Sequence, residues 1–283
     1  MILSFKRVGA WIILCLASVM VLRGGAAAVW REGEQEGVKL PVLMYHHVLK
    51  DSGSWGKFVI SPEELEQDLK YLSENGYQTV TLEELVRYTG GEGELPAKPI
   101  LLTVDDGYLS AKEYIAPLLQ KYQMRAVLSV IGTYSDQYTQ TPDDNVAYAH
   151  LTWEDIAGLS ESGVFEIENH TYDMHKNAGG RRGSMIKKGE TAAQYGKALE
   201  DDLMKTQQKI EAATGKLPIC YTYPYGFISK ESHEPVKQMG FQVALTCNEG
   251  VSCITRDPES LFLLKRINRP HGKSAQELLS KFG

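Results

Sequence analysis

Two adjacent acids and two closely spaced histidines are the residues in this chain best suited to chemistry. Asp105-Asp106-Gly107 follows the apolar run PILLTV, and His170-Thr171-Tyr172-Asp173-Met174-His175 follows VFEIE. Neighbouring carboxylates at a strand end repel, and in an apolar setting one of them would be neutralised. A cation removes that conflict. Successive side chains leave a strand on opposite sides, so one Asp can ligate an ion while the other faces a substrate. Taken alone, Asp-Asp-Gly reads equally well as a turn with a helix cap, Gly107 letting the chain bend sharply. The histidines shift the balance. Five residues apart, they would sit about 140° apart on a helix and share no face. In a loop they can converge on one ion. Two neutral imidazoles and one carboxylate form a three-ligand set that keeps a position open for water, as catalytic zinc centres do.

The elements that must position these groups alternate in type. PVLMY (41–45), residues 77–80, PILLTV (99–104) and residues 125–131, 164–168, 218–223, 241–246 and 262–267 read as short strands. Between them lie helical stretches. Ser61-Pro62-Glu63-Glu64, Thr81-Leu82-Glu83-Glu84 and Thr152-Trp153-Glu154-Asp155 open helices with capping boxes. Further helices are expected over about 110–122 and 191–213. Parallel neighbours need helical crossovers, so this alternation implies a parallel sheet, and the number of units favours a (β/α) barrel. His46 and His47 follow PVLMY, and Pro224-Tyr225-Gly226 follows ICYTY. With the Asp pair and His170, all fall at strand C-terminal ends, the rim where barrel enzymes place their chemistry.

At 283 residues, with 43% hydrophobic and 23% charged residues, the chain can bury a full core. A net charge of −6 argues against broad nucleic-acid binding. Lys6 and Arg7 precede an uncharged run from Val8 to Leu22, followed by small residues 24–28, the order of a secretory signal. Residues 1–30 are therefore a signal peptide or membrane anchor, 31–38 a linker, and 39–283 one catalytic domain. That places the body of the protein in the secreted or cell-envelope space. Export permits a disulfide among Cys220, Cys247 and Cys253, although small buried residues are the simpler reading. The glycine-punctuated stretch from Gly179 to Gly189 carries four basic residues. It reads as a solvated loop, or as a lure for an anionic polymer. Trp55, Trp153, Tyr108 and Tyr172 are candidates for stacking on sugars, with core packing the default for Trp153.

At PVLMYHHV (41–48), LLTVDDGY (101–108), AVLSVIGT (126–133), ENHTYDMH (168–175) and YTYPYG (221–226) the chain resembles the polysaccharide deacetylase family, the NodB-homology domain of carbohydrate esterase family 4. One extra residue between the histidines resembles the branch acting on poly-N-acetylglucosamine. The resemblance implies a distorted (β/α)7 barrel. It implies Asp105 as general base, and Asp106, His170 and His175 as ligands of a divalent metal, zinc foremost with Co, Ni, Mn or Fe as alternatives. It also implies that Thr171 braces the loop and that the Tyr225 backbone N–H serves an oxyanion hole. The expected reaction is hydrolysis of N-acetyl groups on an N-acetyl-hexosamine polysaccharide such as peptidoglycan, poly-N-acetylglucosamine or a chitin-like chain. Partners beyond that polymer are the membrane, if the N-terminal segment stays attached; a monomer is favoured.

Three positions depart from the family pattern. Thr222 stands where an Arg normally orients the base, and Thr246-Cys247-Asn248-Glu249 replaces the expected Asp/Trp motif. The general acid is open among His271, His46 and His47. Rival functions are O-deacetylation of a polysaccharide, a non-haem iron centre built on the same ligand types, and a catalytically degenerate glycan-binding protein.

Overall fold

The computed structural model describes residues 37–282. The expected signal or anchor segment and most of the linker lie outside the described residues. Seven strands form the central sheet: β1 (Val42–Tyr45), β2 (Pro99–Val104), β3 (Ala126–Val130), β4 (Phe165–Asn169), β5 (Cys220–Thr222), β6 (Val243–Leu245) and β7 (Ile267–Asn268). They lie in the order β6-β5-β4-β3-β2-β1-β7, all parallel, and Gln78–Thr79 adds a short branch at the start of β2.

The sheet curls until its ends meet through one segment. Leu264 donates its N–H to Ala244 O at 2.8 Å and accepts from Thr246 N at 3.0 Å, bridging to β6. The same chain then runs on into β7 beside β1. This thin seam makes the barrel a distorted one, as the sequence implied. The last strand is shorter than the expected 262–267 because Leu263 adopts a φ of 61°, which breaks the extended run before Arg266.

Period-two alternation sorts the strand residues into two layers. Val42, Leu101, Val127, Cys220 and Val243 share an apolar cluster with Leu82 and Leu85 of the helix Leu82–Thr89, which lies at the start of the barrel. One step further along the same face come Thr103, Ser129 and Thr222, all buried. Ser129 and Thr222 hydrogen-bond across at 2.7 Å. The next step on β2 is Asp105. The interior thus passes from apolar to polar toward the rim. The outward face, with Leu43, Leu102, Val104 and Leu128, packs on Leu65, Leu69, Leu72, Leu119 and Ile156 from the surrounding helices.

Those helices are α1 (Pro62–Glu74), α2 (Leu82–Thr89), α3 (Ala116–Lys121), α4 (Gly132–Gln140), α5 (Trp153–Glu161), α6 (Ala192–Thr214), α7 (His233–Gln238) and α8 (Ala275–Leu279). The capping boxes expected at Ser61, Thr81 and Thr152 are complete, and Thr191 and Ser274 form two more. The helix expected over 110–122 opens instead as a π-turn, Ala111–Ile115. Pro117 lacks the N–H that an α-turn would need there. Helix α4 was not expected; its polar and β-branched sequence carries little helical signal. Cys220, Cys247 and Cys253 are free thiols. Among the described residues, no helix is long and apolar enough to cross a membrane.

Candidate active site

Three of the five described non-glycine residues with positive φ sit just past barrel strands: Asp106 (75°) after β2, Thr171 (77°) after β4 and Tyr225 (58°) after β5. A left-handed conformation costs an ordinary residue about 1–3 kcal/mol and persists only where its surroundings enforce it. The segment 149–151 enforces it at Asp106. His150 Nδ1–H donates to Asp106 O at 3.0 Å, Leu151 N to Gly107 O at 2.9 Å, and Leu109 N to Ala149 O at 2.8 Å. At Thr171 the backbone N–H donates to Asn169 Oδ1 at 2.8 Å, and the carbonyl accepts from Gly132 at 3.0 Å. Thr171 therefore braces the loop through its backbone; its buried hydroxyl has no protein partner. Gly226 follows Tyr225 with φ 68°, and a Cβ there would meet Cys247 Cβ at 2.6 Å.

These turns bring the acids and histidines of separate strands together. One donor atom from each of Asp106, His170 and His175 lies within 4.8 Å of the others. His170 Nε2 and His175 Nε2 are 3.5 and 3.4 Å from Asp106 Oδ1, too long for good hydrogen bonds, and that buried oxygen has no other partner. The spacing fits a cation between them. His170 Nδ1 faces the Thr222 carbonyl at 2.7 Å. A carbonyl can only accept, so Nδ1 carries a proton and Nε2 is the nitrogen that faces the cluster. Burial, with the nearby His170, pushes His175 down to about 4, leaving it neutral at physiological pH. Burial alone would raise Asp106, but the adjacent His170, with the charges of His46 and His175, holds it well below the usual carboxylate range.

Asp105 is buried beside the cluster and gripped by Arg266. Nη1 donates to Oδ1 and Nη2 to Oδ2, both at 2.8 Å, while Nε donates to Thr246 O at 2.6 Å. This two-pronged contact is the strongest geometry available to a carboxylate and guanidinium. Burial would raise Asp105; the Arg266 charge, then His170, bring it below its ordinary value. The partner that appeared missing at Thr222 thus enters from the other side of the barrel, just before β7. Sequence reasoning passed over Arg266. Its signal was a charged pair, Lys265-Arg266, directly after the apolar run Leu261–Leu264 at the last expected strand.

The three candidate acids are placed differently. His46 lines the cavity over the cluster, with Nε2 4.0 Å from Asp105 Oδ2 and a buried Nδ1 that has no partner. His47 is occupied at both nitrogens, by Ser110 Oγ at 2.7 Å and Ala147 O at 3.2 Å. His271 is not brought to the cluster. Its Nδ1 faces Glu64 at 2.8 Å, its ring lies against Trp55, and it is not among the residues lining the cavity. Tyr225 does line the cavity, its ring 4.4 Å from that of His175. Tyr108 also lines it, stacked between His47 and His150 at 4.1 and 4.4 Å.

Other sequence candidates serve structure. Trp153 Nε1–H donates to Asp136 at 2.8 Å and the ring packs on the core; Trp55 Nε1–H donates to Leu49 O at 2.7 Å. The Gly179–Gly189 stretch is more ordered than a solvated loop. Asn177–Ala178 and Arg181–Arg182 pair as a hairpin, and Arg181 is bound to Glu190 at 2.7 Å.

A family profile described as polysaccharide deacetylase matches residues 92–244, just over half of the 283-residue chain. The chain belongs to the polysaccharide deacetylase family. The matched segment contains Asp105, Asp106, His170, His175 and Tyr225, and excludes both His46 and Arg266. The match therefore spans the cluster of Asp106, His170 and His175, while His46 and Arg266 join the site only through the fold.

The chain is 25% identical over 228 residues to poly-beta-1,6-N-acetyl-D-glucosamine N-deacetylase of Escherichia coli (strain K12), a match covering 74% of this chain and 34% of that protein. It thus spans about a third of that relative's length. It is 28% identical over 248 residues to YxkH of Bacillus subtilis (strain 168), covering 87% of this chain and 77% of that one. Among solved structures, IcaB from Ammonifex degensii superimposes with a TM-score of 0.68 at 27% identity, covering 83% of this chain and 94% of that one. The de-N-acetylase from Aggregatibacter actinomycetemcomitans shares the fold, with a TM-score of 0.73 at 23% identity over 86% and 99% of the two chains.

Proposed function

We propose that this protein is a metal-dependent hydrolase that removes N-acetyl groups from an N-acetyl-hexosamine polysaccharide in the secreted or cell-envelope space. One observation carries the reading. Donor atoms of Asp106, His170 and His175 converge within 4.8 Å, and beside them Asp105 is held ionised by Arg266. A glycan-binding module has no need of a buried carboxylate set so close to a metal site. The relatives named as N-deacetylases of poly-N-acetylglucosamine support the substrate class.

Asp106, His170 and His175 would hold a divalent cation, zinc being best suited to imidazole and carboxylate in an open site, and it would supply a Lewis acid for an acetyl carbonyl and for water. Asp105 takes the proton of the attacking water, its two oxygens kept in place by the Arg266 fork. The Tyr225 backbone N–H, turned by the positive φ of that residue, is offered to the developing oxyanion. Such a donor is worth about 10²–10³ in rate. His46 protonates the leaving sugar amine; His46 and His47 both line the cavity, but the nitrogens of His47 are occupied by Ser110 and Ala147, while His46 Nε2 lies 4.0 Å from Asp105. His271 is not assigned that role.

The test is acetate release from poly-N-acetylglucosamine, chitin oligomers, peptidoglycan and acetylated xylan, with added zinc and with chelator. Release from the N-acetylated glycans is expected to depend on metal, and Asp105→Asn is expected to cost about 10²–10⁴ in rate while still binding metal. Release confined to xylan would make the enzyme an O-acetyl esterase. The absence of metal-dependent release from all four would overturn the hydrolytic reading.

A further inference from the structure

The cavity over the metal site, about 820 Å³, has walls of unlike charge. Toward His175 and Tyr225 it is aromatic. Toward the barrel seam it is lined by Lys57, Lys273 and Lys281, each exposed. None of the three forms an ion pair with a carboxylate among the described residues; Lys57 Nζ instead lies 4.9 Å from the ring of Phe58.

The seam holds this wall together. Asn268 Nδ2 donates to Lys57 O at 2.9 Å, and His271 N donates to Gly56 O at 2.8 Å, tying the 56–58 loop to the segment after β7. Among the described residues lining the cavity, opposing negative charge is sparse. Asp105 is neutralised by Arg266, Asp106 belongs to the metal set, and Glu277, near two of the lysines, is engaged in the cap of α8 with Ser274 N at 2.9 Å. Glu249 is the remaining acid on the lining. In a chain of net charge −6, a concentration of free lysines at the groove runs against the overall sign.

We propose that Lys57, Lys273 and Lys281 form a charge filter on the glycan groove, favouring chains with acidic substituents beside the reacting sugar and rejecting chains that already carry free amines. The inference rests on the deacetylase reading above and adds the charge of the substrate to it. Each turnover converts a neutral acetamide into an ammonium, so the product sugar is repelled by this wall. The acetyl groups next to a deacetylated sugar are then poor substrates, and deacetylation is spaced along the polymer. Screening over about 8 Å at physiological salt confines the effect to sugars near the reacting one.

The test compares kcat/KM for acetate release from three oligomers of similar length. They are an N-acetylglucosamine oligomer, the same oligomer partly deacetylated, and an N-acetylglucosamine–N-acetylmuramic acid oligomer carrying lactyl carboxylates. At low salt the preference for the carboxylated over the amine-bearing oligomer is expected to be about tenfold or more, and to shrink at high salt. Replacing all three lysines by glutamine should collapse that ratio, and replacing them by glutamate should reverse it. A ratio unchanged in both triple variants, with acetate still released, would overturn the charge filter alone. Release from none of the oligomers would overturn the hydrolytic reading and the filter with it.

Discussion

Asp105 can act as a base only while ionised, and its surroundings pull in opposite directions. Burial favours the neutral acid, and Arg266 restores the carboxylate. Removing the guanidinium leaves burial unopposed, so Arg266→Gln should raise the Asp105 pKa. Activity carried by the ionised base then sets in at higher pH: the acid limb of the kcat/KM profile is expected to move up, with a loss of about 10²-fold near neutrality. A pH–rate profile with the limb unmoved would show that Arg266 is not what keeps Asp105 ionised. At this scale the candidate cluster was legible in the sequence where the signal is local. Asp105-Asp106 and the His170–His175 loop announce themselves by composition. Arg266 did not, because its meaning comes from a partner 161 positions away.

At the scale of elements, α1 is the clamp for the seam. Glu64 completes the capping box with Ser61 N at 3.0 Å and also accepts from Gly272 N at 2.8 Å, with His271 and Arg269 against it. One turn later Asp68 holds Arg269 Nε at 2.6 Å and Ala275 N at 2.8 Å. Burial opposes ionisation of Glu64, but these hydrogen bonds, led by His271, bring it down from 4.5 to about 2. A carboxylate depressed on folding stabilises the protein fully above its unfolded pKa. That contribution is lost as pH falls from about 4.5 toward 2. Glu64→Gln should therefore be less stable than wild type near neutrality, and the two should converge near the acid end. Urea melts across this pH range check it, and a gap independent of pH would argue that Glu64 acts by packing alone. The capping box itself was legible from Ser61-Pro62-Glu63-Glu64. The other partners of Glu64 were not, since nothing in a helix-start motif indicates what lies beyond the first turn.

For the whole molecule, the three proposed ligands come from two rim loops that only the closed barrel brings together, so a cation that binds them would bind the folded state. At a metal concentration about 100-fold above Kd the gain is about 2.7 kcal/mol, a rise in Tm of roughly 5–10 °C for a domain of this size. Zinc added to chelator-treated protein should produce that rise, and Asp106→Asn should abolish it; a shift that survives the substitution would place the metal elsewhere. The sequence by itself determined what is periodic or adjacent. Strand–helix alternation, complete capping boxes and the two ligand motifs are written in neighbouring residues, and together they specified a parallel barrel with a reactive rim. Tertiary structure decided what depends on closure. The seam at Leu264 carries Arg266 to Asp105, the pairing of β1 with β2 sets His46 4.0 Å from Asp105, Glu64 of α1 takes up His271, and Lys57, Lys273 and Lys281 gather along one wall. Such pairings are made by strands brought side by side from distant parts of the chain, and no local spacing encodes which residues will meet there.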